Sequence, residues 1–103
     1  MKALRKKRPP CALTLLKIAD VSTQHVTRSD GLLMGTDAGA VAQINGGYGT
    51  IFSTCDTALE HLKTKGYSVA LFKIMRQARA QGADYVRFDS DGAEIPGWPT
   101  FDW

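Results

Sequence analysis

The chain has only two cysteines and two histidines among its 103 residues. Cys11, His25, Cys55 and His61 are therefore its whole supply of thiol and imidazole groups. Their spacing matches no compact zinc module, and no C-x-x-C pair or dense disulfide framework is present. Both cysteines have apolar or small neighbours, so they are expected as buried free thiols in a reducing compartment. A Cys–His nucleophile pair would have to meet in space, and nothing in the sequence favours that over buried thiols and surface histidines. Ser22 and Ser53 lack a nucleophile-elbow context.

Long apolar runs are missing as well. None approaches the ~20 residues that a membrane-spanning helix needs. Cys11 to Ala19, behind a basic start, mimics a secretion signal. Lys17 interrupts it, however, and Asp20-Val21 follows where a small-x-small cleavage site would stand. The expectation is a cytoplasmic protein with no membrane partner.

An excess of one charge is also lacking, although the net charge of +3 suggests one. Lys2, Arg5, Lys6, Lys7 and Arg8 are five of the thirteen basic residues. Setting them aside leaves eight basic against ten acidic side chains, a net of −2. A slightly acidic body with a basic tail is not the charge pattern of a nucleic-acid-binding surface. The tail alone can attract polyanions weakly and in a salt-sensitive way. Residues 1–10, ending in Pro9-Pro10, are expected as a disordered basic tail, and residues 11–103 as one domain.

What is present is ordinary globular material, 44% hydrophobic and 22% charged. Ala12 to Ala19 predicts a mostly buried strand. Thr27 and Asp30 have the spacing of a capping box, and Leu32, Leu33 and Met34 supply an apolar face before Gly35, which together predict a short helix. Gly31 weakens that helix by roughly 1 kcal/mol relative to Ala. Asn45-Gly46 predicts a hairpin turn joining Ala40–Ile44 to Tyr48–Thr54. Thr57 to Lys65 follows as a helix capped by Asp56 and closed by Gly66. A second helix begins at Ser68, with Leu71, Phe72, Ile74, Met75 and Ala78 as its apolar stripe and Gly82 as its end. Tyr85 to Asp89 is a strand with Val86 and Phe88 on one side, and Ala93 to Ile95 is a short returning strand. The order predicts an α+β two-layer sandwich: a mainly antiparallel sheet of four to five strands, with two to three helices packed on it.

Two motifs invite a chemical reading and fail it. Asp89-Ser90-Asp91-Gly92 has the D-x-D-G form with which haloacid dehalogenase-type phosphatases place paired carboxylates. That chemistry also needs a downstream lysine and further acids, and the eleven residues after Gly92 hold no lysine. As an EF-hand, the loop would have Ala93 and Thr100 where oxygen ligands belong. A β-turn is the better expectation. Gly46-Gly47-Tyr48-Gly49 precedes a β-rich run instead of a helix, so it predicts a turn and not a phosphate cradle. No catalytic residue, metal ligand or cofactor is assigned. The remaining oddity is the close, where Trp98, Phe101 and Trp103 crowd six residues. They predict a docked hydrophobic clasp, with an exposed aromatic platform as the rival. Base stacking would want interleaved cations, and the chain has none after Arg87.

Val21 to Asp30 (VSTQHVTRSD) resembles the V-S-T-x-H opening of a family of small proteins of unknown function. That family is found largely on bacterial plasmids and integrated mobile elements. Asp84 to Trp103 resembles its close: a strand, an acidic turn, then G-[LW]-P-T-[FY]-D-W. The resemblance implies a bacterial host and a mobile-element setting, and it carries over no catalytic residue. The expected function is a non-enzymatic protein-interaction or regulatory factor, with anti-defence activity as one version. Its expected surface is Asp89, Asp91, Glu94, Trp98 and Trp103, its expected partner another protein; a homo-oligomer is compatible with the sequence. The alternative is a nucleic-acid accessory protein acting through Lys2, Arg5, Lys6, Lys7 and Arg8.

Overall fold

In the computed structural model, the residues described are 13–36, 39–43 and 49–103. The chain runs β1 (Ile18–Ser22), a 3-10 turn (Thr23–His25), α1 (Arg28–Met34), β2 (Ala42–Gln43), β3 (Thr50–Ser53), α2 (Asp56–Lys65), α3 (Val69–Ala80) and β4 (Tyr85–Asp89). The sheet order is β1-β4-β3-β2. Three strands of four or five residues carry it, and β2 adds a two-residue edge pairing.

The architecture is α+β, but the sheet is mixed. β4 runs parallel to β1, with Ile18 opposite Tyr85, and antiparallel to β3, with Thr50 opposite Phe88. The expected four to five strands are not matched, because β2 is no more than a two-residue pairing and the returning strand is absent. Ala93 to Ile95 is not a strand: the chain turns at Gly92 and leaves the sheet. The first strand starts at Ile18 instead of Ala12, and Leu13, Leu15 and Leu16 stand exposed. The apolar run Ala12–Ala19 reads as a strand buried on both faces, but β4 pairs with only its last two residues, Ile18 and Ala19. The basic tail, Cys11 and the Asn45-Gly46 turn lie outside the described residues.

Local signals set the helices where expected. Thr27 and Asp30 form the capping box of α1, each side chain taking the other's backbone N–H. The Ser68 hydroxyl accepts from the Leu71 amide at the start of α3. Gly66 ends α2 at φ 91°, a conformation that costs glycine nothing. Cys55, not Asp56, is the cap residue of α2, with Asp56 in its first turn.

The core lies between the helices and one sheet face. All five residues of the α3 stripe are buried, with Leu62 of α2 and Met34 of α1. From the sheet come Val21, Phe52, Val86 and Phe88. Phe52 meets Tyr67 and Phe88 edge-on at 5.5 and 5.8 Å, a favoured aromatic geometry. The opposite sheet face carries the Arg87–Asp20 ion pair, at 2.7 Å. No helix among the described residues is long and apolar enough to cross a membrane.

Candidate functional site

The segment after β4 is held by one short stretch, residues 22–26. The D-x-D-G motif begins it as a turn: the Gly92 amide donates to the Asp89 carbonyl at 2.9 Å, and the Asp91 amide to the Asp89 carboxylate at 3.2 Å. Gly92 then crosses the end of β1 so closely that a Cβ there would lie 2.5 Å from the Val21 carbonyl oxygen. Only glycine fits, for packing and not for chemistry. Beyond it the Ser22 amide donates to the Ala93 carbonyl at 2.8 Å.

His25 is the main anchor, and it is buried, against the expectation of a surface histidine. Its Nε2 accepts from the Ile95 amide at 2.8 Å, and its Nδ1 lies 2.8 Å from the Pro99 carbonyl oxygen. An amide can only donate and a carbonyl can only accept. The ring is therefore the neutral tautomer with its proton on Nδ1. On either side of it in sequence, the Gln24 carbonyl accepts from the Phe101 amide at 2.7 Å, and the Val26 carbonyl accepts from the Trp103 indole N–H at 2.9 Å.

The aromatic close is thus docked, but not buried as expected. Trp98 is half-buried against the core, while Phe101 and Trp103 remain 38% and 51% exposed. The Trp103 ring occupies the space beside Gly31, where a Cβ would lie 2.3 Å from a ring carbon. This explains why a helix of seven residues contains a glycine. Two cavities flank the tail. One of about 300 Å³ is lined by Thr23, Thr50, Phe88, Asp89, Ser90 and Trp103, among others. The other, of about 270 Å³, lies between His25, Lys73, Trp98, Pro99 and Phe101.

Of the five residues expected to share a surface, Asp91 and Glu94 are exposed and Trp103 half-exposed. Asp89 is nearly buried and shares the first cavity with Trp103, while Trp98 lines the second. Sequence reasoning weighed His25 only as a metal ligand or a partner of a cysteine, and missed its role as a buried anchor. The only available signal was indirect: a docked aromatic end requires something to receive it.

Cys55 corrects a further expectation, since its thiol is exposed. The Ser53 hydroxyl, then the Ala58 amide at the start of α2, hold it below the usual thiol range. Cys55 and His61 border the same open depression of about 630 Å³, but no hydrogen bond joins them among the described residues. Nor do the described residues gather three or more His, Cys, Asp or Glu side chains in a metal-binding group. Asp56 and Arg79 form an exposed ion pair nearby, which lowers the carboxyl pKa and raises the guanidinium pKa.

The model of a family of unknown function (DUF5983), described as its C-terminal domain, matches residues 18–103. No curated protein and no solved structure matches the chain.

Proposed function

We propose, for a chain that belongs to the DUF5983 family, that it acts as a binding module which engages another protein through its C-terminal clasp. The observation that carries this reading is the state of Phe101 and Trp103: a hydrogen bond holds the backbone of the first and the indole ring of the second, and both rings are left partly in water. Rings that are already immobilised lose little further freedom on binding, which is what makes tryptophan and other aromatics effective interface anchors. Asp91, Glu94 and Asp102 stand exposed on the same segment. The complementary partner surface is therefore an apolar pocket with a basic rim.

The role is regulatory and non-enzymatic. The mobile-element setting implied by the sequence resemblance makes a host protein, such as a defence component, the natural class of partner. The test is paired affinity capture from bacterial lysate with wild-type protein and Trp103→Ala, followed by titration of the purified captured protein. The reading expects a protein that binds wild type and binds Trp103→Ala at least about tenfold more weakly, a difference of 1.4 kcal/mol. Equal binding by the two, with the variant folded, removes the clasp from the interface.

A further inference from the structure

Leu13, Leu15, Leu16 and Ile18 are 82%, 84%, 57% and 54% exposed. These four large apolar side chains lie within six residues and run directly into β1. β1 is one of the two edge strands of the sheet.

Its backbone shows which groups that edge offers. The Lys17 carbonyl accepts from the Asp84 and Tyr85 amides, which turns residue 17 towards β4. With the two-residue period of a strand, Ala19 and Val21 turn the same way. Ser22 faces outwards, and its N–H is taken by Ala93. Ile18 and Asp20 therefore present N–H and C=O to the open edge. Among the described residues, only Ala93 bonds to that edge, at its far end. Of the usual protections of an edge strand, Lys17 supplies charge at its start, but two others fail. No proline occurs from residue 13 to 22, and the Asp20 carboxylate is held by Arg87 at 2.7 Å.

We propose that a second copy of this chain occupies this edge, β1 against β1, antiparallel across a twofold axis. A strand edge turned end to end always offers N–H to C=O, so it is complementary to itself. Side-chain charge and the Ala93 contact together select the register. An axis through Lys17 or Asp20 sets like charges opposite each other, which is destabilising, and an axis through Ala19 sets Leu16 against Ser22, whose N–H Ala93 already takes. An axis through Ile18 pairs its N–H and C=O reciprocally with the partner's Ile18. It also lays Leu15 beside the partner's Val21, continuing the helix-facing apolar side of the sheet. Ala93 ends the pairing at Ser22. The inference does not depend on the clasp: the clasp's aromatic anchors are not part of this edge.

The full chain is tested by sedimentation velocity beside three variants. Ile18→Pro removes an N–H that points away from β4, so the internal ladder loses no bond. Ile18→Lys places two cations at the axis. Leu32→Lys alters an exposed leucine elsewhere. The expected result is a wild-type dimer, retained by Leu32→Lys, with a dissociation constant raised at least about tenfold in both Ile18 variants. Near-ultraviolet circular dichroism checks that the core persists; should Ile18→Pro fail that check, Ile18→Lys carries the test. A monomeric wild type overturns the proposal. So does a dimer that survives both folded Ile18 variants, because its interface then lies elsewhere. Binding of the clasp's protein partner is expected to survive Ile18→Lys, which separates this interface from the one above.

Discussion

Asp30 is a fully buried carboxylate whose partners are all N–H and O–H groups. It takes the Thr27 amide at 3.0 Å, the Ser68 amide at 2.8 Å and the Ser68 hydroxyl at 2.5 Å. One side chain thus closes the cap of α1 and fixes the cap residue of α3. Asp30→Ala leaves those donors buried and unpaired, so urea denaturation is expected to show a loss of about 3 kcal/mol or more. Asp91→Ala, on the exposed turn, is expected to change stability by less than about 0.5 kcal/mol. Gly31 gives a test of sign. Alanine there improves helix propensity by about 1 kcal/mol but collides with Trp103. Gly31→Ala is expected to destabilise wild type and to stabilise a Trp103→Ala background; equal effects in the two backgrounds would show that the ring lies elsewhere. At Cys55 the depressed thiol pKa means more thiolate at any given pH. In a Cys11→Ser background, its alkylation by iodoacetamide is expected to rise through a midpoint below that of free cysteine.

At the scale of elements, the clasp stands or falls with the 3-10 turn that receives it. His25→Ala removes one acceptor and one donor, so the Ile95 and Phe101 amides are expected to exchange with solvent as a local opening, while the α3 amides keep their protection. The helices were legible in the sequence because their determinants are local. Thr27 and Asp30 lie three residues apart, and the α3 stripe declares itself at helical period. The sheet was legible only in part. The partner of β1 is β4, 67 residues further along and parallel, and no turn motif announces such a pairing. The returning strand at Ala93 to Ile95 was a reasonable inference from turn chemistry. Gly92 defeats it by sending the chain across β1 instead of alongside β4. The buried role of His25 was illegible for a related reason: its two partners, Ile95 and Pro99, lie 70 and 74 residues away.

At the scale of the whole molecule, three separable features carry three separable behaviours: a basic tail, a sheet edge and an aromatic close. Removing residues 1–9 is expected to leave the thermal midpoint and the clasp's protein binding unchanged. If the tail does act on nucleic acid, that deletion abolishes a salt-sensitive DNA affinity which Trp103→Ala leaves intact. The candidate surface was half legible: the sequence marked Trp98, Trp103, Asp91 and Glu94, but not that a buried imidazole would pin the segment bearing them. That pinning is the central claim, because rings on a free end would carry no preorganised interface. Its most direct test is the tautomer of His25, read from the imidazole nitrogen shifts by long-range proton–nitrogen NMR. The account predicts a neutral ring protonated on Nδ1, with Nε2 accepting from Ile95. A ring protonated on Nε2, or one averaging between tautomers, would contradict it.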